Sequence, residues 1–225
     1  MENKKSGFII INKQINFTSH DVIVVLRGIT GIKKIGHAGT LDPFATGILI
    51  CAIGREATKK ISQFVKLDKE YEATLKLGVE SDTYDREGKM SKVKCQRSKR
   101  DEIIKVLDKF IGKQEQVAPM FSAKKIGGKK LYELARAGKI IKRKPCKIEI
   151  YDIKLLKYKW PDLEIKVRCS TGTYIRSLGH DIGQALECGA YLEEITRIGV
   201  GKFKLPNAVE LGKLNKRNWD SYIVS

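Results

Sequence analysis

Apolar and polar positions along this chain recur with two periods, and the predicted elements follow from them. Residues 7–12, G-F-I-I-I-N, are an apolar run of the length of a short buried strand. Thr18 or Ser19 stands as N-cap to a helix predicted through about Arg27, with Asp21 in its first turn, where the helix dipole favours negative charge. A second unbroken apolar run, 48–53, predicts buried structure. Residues 55–65 fit an amphipathic helix with Ala57, Ile61, Phe64 and Val65 on one side. Over 69–79 the period drops to two: Tyr71, Ala73, Leu75 and Leu77 share one face, Glu70, Glu72, Thr74 and Lys76 the other, which is a strand. Helical spacing returns over 99–111 (Ile103, Ile104, Leu107, Phe110), ended by Gly112. A short helix over 131–137, strands at about 148–160 and 163–169, a helix to about Glu187, a strand over 192–203 and a short helix over 206–214 complete the pattern.

Strands and helices are mixed without regular β-α-β alternation. The reading is an α+β fold: a mixed, largely antiparallel sheet flanked by helices, in a single domain over 1–225. Three segments escape both periods. Residues 81–88, S-D-T-Y-D-R-E-G, read as an acidic turn facing solvent, and 116–130 as a basic loop. The third, 36–47, reads G-H-A-G-T-L-D-P-F-A-T-G: three glycines, two threonines and a proline around one carboxylate, Asp42. Glycines allow main-chain N–H groups to approach a ligand closely, which suits a site of chemistry. Taken locally, Asp42-Pro43 fits a helix start better, with Asp as N-cap and Pro at the first helical position.

Charge narrows the choice of partner. Lys and Arg number 44 against 26 Asp and Glu, a net charge of +18, and a surplus of that size favours a polyanion, whose counterions are released on binding. Anionic membrane is the competing explanation, but no basic amphipathic segment, lipidation motif or spanning segment stands out, so nucleic acid is favoured. The five cysteines are scattered, with no C-x-x-C pair, which points to reduced thiols and a cytoplasmic location rather than a disulfide framework or zinc site. None of the three histidines has metal-ligand spacing. No metal is expected.

Candidate chemistry gathers on a few residues. Asp42 and Arg176, the latter in the turn T-G-T-Y-I-R, are a possible buried ion pair in which the arginine keeps the carboxylate ionised; a surface arginine is the plainer alternative. Tyr71 is either a core residue or a ring that stacks a base. His37 is either a loop histidine with a satisfied hydrogen bond or a direct contact. The stretch 124–130, with Gly127 and Gly128, is either a phosphate-tracking or a merely solvated loop.

Five blocks in register resemble the TruB family of tRNA pseudouridine synthases, over roughly 7–203: Gly36-His37-Ala38-Gly39-Thr40-Leu41-Asp42-Pro43 with Ala45-Thr46-Gly47; Lys69-Glu70-Tyr71; Ser81-Asp82-Thr83 with Asp85 and Gly88; Gln116-Val117 with Pro119-Met120-Phe121-Ser122-Ala123 and Gly128-Lys129-Lys130-Leu131-Tyr132; and Cys169-Ser170 with Gly172-Thr173-Tyr174-Ile175-Arg176. The resemblance implies isomerisation of uridine to pseudouridine at position 55, in the tRNA T-loop, after the base is flipped out. It implies Asp42 as catalytic carboxylate, Tyr71 stacked on the target base and Arg176 as partner of Asp42. RNA contacts are implied for His37, Lys69, Lys124, Lys129, Lys130 and Tyr174. Neither cofactor nor metal is implied, and the partner is the T-arm of tRNA, without an obligate protein. Ala118 stands where the family often has a second proline. The residues after 205 are too few for the PUA-like domain of many members, which argues against the guide-RNA-dependent relatives. Two alternatives remain: a non-catalytic tRNA-binding or folding protein, and the same reaction on other RNA uridines.

Overall fold

The computed structural model describes residues 6–122, 125–139 and 141–224. In chain order the elements are Gly7–Lys13 (β1), Ser19–Thr30 (α1), Ile35–Ala38 (β2), Thr46–Ile53 (β3), Gly54–Lys59 (α2), Ser62–Val65 (α3), Lys69–Leu77 (β4), Val79–Ser81 (β5) and Met90–Lys92 (β6). There follow Arg100–Asp108 (α4), Gly112–Gln116 (β7), Lys125–Ile126 (β8), Lys129–Lys130 (β9), Leu131–Arg136 (α5), Cys146–Lys159 (β10) and Asp162–Cys169 (β11). Ile175–Ala185 (α6), Ala190–Val200 (β12), Phe203–Lys204 (β13) and Val209–Glu210 (β14) complete the chain. Two compact units result, one of 1–71 with 195–225 and one of 72–194. The class is the mixed α+β one that the sequence pattern predicts.

The first unit is built on two apolar runs laid side by side. β1 and β3 pair antiparallel, with Ile9 opposite Cys51 and Ile11 opposite Leu49. Both faces of this pair are covered, which is why neither run alternates. One face carries Ile9, Ile11, Leu49, Cys51 and Ile53 under Val22, Ile23 and Leu26 of α1; the other carries Phe8, Ile10, Ile48, Ile50 and Ala52 with Ala57 of α2. Thr18 caps α1 as expected, accepting from the Asp21 N–H, while the Asp21 carboxylate accepts from the Thr18 N–H. β2 is an addition the hydrophobic pattern does not contain. Its G-H-A sequence becomes a strand by lying antiparallel to β3, His37 opposite Cys51. The single helix expected over 55–65 is two short pieces, and the one expected over 206–214 is a pair of 3-10 turns flanking β14.

In the second unit β10 and β11 pair antiparallel, Ile153 opposite Val167, and β7 adds on β10 with Gln114 opposite Ile148. β4 runs from the first unit, which holds its Tyr71, into the second, which holds Ala73, Leu75 and Leu77; all four are buried, as the alternation requires. Helix α4 ends earlier than predicted and buries Ile103, Val106 and Leu107, leaving Ile104 exposed. Helix α6 sits against β4 through Gly179, where an added Cβ would come within 2.7 Å of a Leu75 methyl. The largest departure is 81–88. Ser81, Thr83 and Asp85 are buried, so one side of this turn faces the interior while Asp82 and Glu87 stay exposed.

Candidate active site

Residues 39–45, in the first unit, are held by hydrogen bonds at Gly39, Leu41, Asp42, Pro43 and Ala45. Asp42 and Pro43 do not begin a helix: the Ala45 N–H donates to the Asp42 carbonyl at 3.1 Å, closing a β-turn with Pro43 in its second position. Leu41, Phe44 and Ala45 are buried and pin the turn to the core, while Asp42 is half-buried and Pro43 exposed. Ser19, at the start of α1, takes both polar groups of Leu41: its Oγ accepts from the Leu41 N–H at 2.9 Å and donates to the Leu41 carbonyl at 3.2 Å.

Two buried cations underlie this turn, and sequence reading singled out neither. Lys13 is fully buried, and its Nζ donates to the carbonyls of Phe17 (2.6 Å), Gln14 (3.0 Å) and Pro43 (3.2 Å). Burial pulls its pKa down from 10.5 to about 8, opposed by attraction to Asp42 and assisted by repulsion from Arg197. Coupling of this kind is reciprocal, so the ammonium favours the ionised form of Asp42. Arg197 on β12 is the second cation, 2 % exposed, donating to the Ile48 and Gly39 carbonyls. A signal for both was present. Lys13 continues the inward parity of Ile9 and Ile11, and Arg197 that of Ile195.

His37 on β2 is half-buried, and its Nδ1 is enclosed with no hydrogen-bond partner among the described residues. Burial first, then the Arg197 charge, lowers its pKa and favours the neutral ring. Tyr71 is buried on β4. Lys69 is buried too, its Nζ donating to the Val65 and Leu67 carbonyls at 2.5 Å each. That ammonium closes the turn after α3, where the resemblance implied a contact to RNA.

Arg176 belongs to the second unit, on the first turn of α6. It is 6 % exposed; its Nη1 meets the Asp85 Oδ2 at 2.9 Å and its Nη2 donates to the Phe121 carbonyl at 2.6 Å. Asp85 is held in turn by the Thr83 hydroxyl (2.6 Å) and the Glu87 N–H (3.0 Å), both donating to Oδ1. The start of α6 is clamped by the buried Gln116, whose amide accepts from the Tyr174 N–H at 2.8 Å and donates to its carbonyl at 3.1 Å. The Ser177 hydroxyl donates to the Val117 carbonyl at 2.9 Å. The acidic turn and the 116–121 segment, which look like separate loops in the sequence, therefore converge on one guanidinium. Tyr174 is half-buried, Lys129 and Lys130 form β9, and Lys124 lies outside the described residues.

A family model described as "TruB family pseudouridylate synthase (N terminal domain)" matches residues 27–175, and one described as "tRNA pseudouridylate synthase B C-terminal domain" matches 176–223. The chain belongs to the TruB family of pseudouridylate synthases. Proteins called tRNA pseudouridine synthase B resemble it over almost its whole length. The one from Clostridium novyi (strain NT) is 47% identical over 220 residues, 98% of this chain and 76% of the relative; the one from Protochlamydia amoebophila (strain UWE25) is 48% identical over 203 residues, 90% and 77% respectively. Conversion of uridine to pseudouridine in tRNA is the chemistry of this family. Among solved structures, a Cbf5-Nop10-Gar1 complex matches with a TM-score of 0.72 and 30% identity, covering 92% of this chain. An H/ACA RNP bound to a substrate RNA containing 2'-deoxyuridine matches with a TM-score of 0.69 and 28% identity. This chain spans only about half the length of those two, 52% and 51%. Among the described residues no helix is long and apolar enough to cross a membrane, and no group of three or more His, Cys, Asp or Glu side chains could hold a metal ion.

Proposed function

We propose that this TruB-family chain isomerises the uridine at position 55 of tRNA, in the T-loop, with Asp42 as its catalytic carboxylate. The observation that carries the reading is the setting of Asp42: half-buried, on a glycine-rich turn, above a lysine whose charge is coupled to it. An anion so held can attack C1′ of the ribose as a nucleophile or remove a ribose proton. Either route breaks the N–C glycosidic bond, lets the uracil turn, and forms a C–C bond from C5. No atom or electron leaves, so the balance of the reaction calls for no redox partner.

Arg176 is assigned as the partner of Asp42. That assignment rests on the family resemblance; within its own unit the guanidinium holds Asp85 and the Phe121 carbonyl. Tyr71 is assigned to stack on the everted uracil and to assist proton loss from C5. Extruding that base costs a few kcal/mol, which phosphate contacts offset. His37, Tyr174, Lys129 and Lys130 are assigned to those RNA contacts, with Lys124 by resemblance alone. The substrate arm is the T-arm, the site of action cytoplasmic, and neither guide RNA nor obligate protein partner is required.

The test is incubation of purified protein with an unmodified tRNA transcript, scoring pseudouridine by position. Product at position 55 with wild type and none with Asp42→Asn is expected. Product elsewhere in RNA would move the assignment to other uridines; binding with no product at all would leave a tRNA-binding protein.

A further inference from the structure

Arg197 stands outside every role assigned above, yet it is among the most deeply buried large side chains of the chain. Its Nε donates to the Ile48 carbonyl at 2.7 Å and its Nη2 to the Gly39 carbonyl at 3.1 Å. These oxygens lie on either side of Asp42 in sequence: Gly39 just after β2, Ile48 just inside β3. The main chain of β12 closes the same neck. Thr46 and Gly47 pair in parallel with Thr196 and Arg197, and the two threonine hydroxyls lie 2.8 Å apart. Gly47, at φ +100°, is in the left-handed region, and a Cβ there would come within 2.3 Å of the Arg197 carbonyl oxygen.

Burying a guanidinium is costly, and an apolar side chain of the same volume often serves stability as well or better. The placement of this one therefore points to a task that packing alone would not require. Lys13 holds the turn at its tip, through the Pro43 carbonyl. A lysine offers a point charge with rotatable donors, whereas a planar guanidinium fork can fix two carbonyls in one geometry. We propose that Arg197 is a positioning residue for the reaction: it locks the neck of the 39–48 loop, so that Asp42 is presented to the ribose in one orientation. The inference rests on the reading of Asp42 as the catalytic carboxylate.

The experiment compares Arg197→Lys and Arg197→Met with wild type and Asp42→Asn, measuring kcat and tRNA affinity on an unmodified transcript and amide hydrogen exchange across 40–47. A carboxylate displaced by about 1 Å loses about 100-fold in rate, so kcat is expected to fall by that order in Arg197→Met with tRNA affinity unchanged. Arg197→Lys should recover part of the loss, and loop amides should exchange faster in both variants while those of α1 keep their protection. A folded variant with wild-type kcat, a parallel loss of kcat and tRNA affinity, or unaltered loop exchange would overturn the proposal, as would failure of both variants to fold. If Asp42→Asn retains activity, it is the catalytic reading that falls. The exchange measurement then still decides whether Arg197 holds the loop.

Discussion

At the scale of single residues, the chemistry of the site turns on how charge is kept inside the protein. Lys13 carries a positive charge in a place where burial opposes it, and three carbonyls with the carboxylates of Asp42 and Asp21 make it tolerable. Its folded-state pKa of about 8 lies below the ordinary 10.5. Well below 8 both folded and unfolded chains carry the proton, and the buried charge costs stability. Between 8 and 10.5 the folded chain releases a proton that the unfolded chain keeps, so this group's contribution to stability rises with pH. Over the same window its support for Asp42 is lost, because a neutral amine offers two donors and no charge. Single-turnover rates are therefore expected to fall as pH passes 8, while urea melts show no matching loss from this residue. An activity that stays flat through that range would break the proposed coupling. Asp42→Asn should keep tRNA affinity and form no product, measured by filter binding and pseudouridine scoring on the same preparation.

At the scale of elements, the acidic turn 81–88 shows how one side of a segment that reads as surface becomes interior. Asp85 is 3 % exposed because Arg176 meets it, Thr83 and Glu87 satisfy its other oxygen, and the Arg86 N–H donates to the Leu192 carbonyl of β12. Removing one side of a buried pair leaves the other charge uncompensated, at about 3–5 kcal/mol. Asp85→Ala is expected to destabilise the protein by about that amount, read from urea denaturation. A loss within about 0.5 kcal/mol, as at an ordinary surface site, would mean that Arg176 is held by other partners. Gly47→Ala is expected to be destabilising as well, since the new methyl meets the Arg197 backbone rather than a side chain that can move. Polar composition is what made 81–88 look solvent-facing, and composition cannot report a partner ninety-one residues away. The same blindness hid β2. A G-H-A stretch has no strand pattern of its own and becomes a strand only because β3 supplies its ladder.

At the scale of the whole molecule, a net charge of +18 makes a prediction that needs no coordinates. tRNA affinity should fall linearly in log–log terms with salt, with a slope set by the number of phosphates neutralised. A flat response would contradict phosphate-driven binding. Much of the molecule was legible from its residues. The alternation of β4, the capped helix α1, the burial of the two apolar runs that become β1 and β3 and the sign of the partner's charge all follow from local periodicity and composition, because none of them needs a distant residue to be named. The prominence of the 36–47 segment was legible too, since glycines and proline around one carboxylate are visible without a fold. Its form was not: Asp42-Pro43 opens a β-turn rather than a helix, because Asn16 and Lys13 take the Pro43 carbonyl and the β3 ladder begins at Thr46, while Ser19, Lys13 and Arg197 hold the loop around it. Those three belong to α1, β1 and β12. Only folding brings them under one loop, and burial makes an ordinary lysine and arginine the cations that hold its backbone.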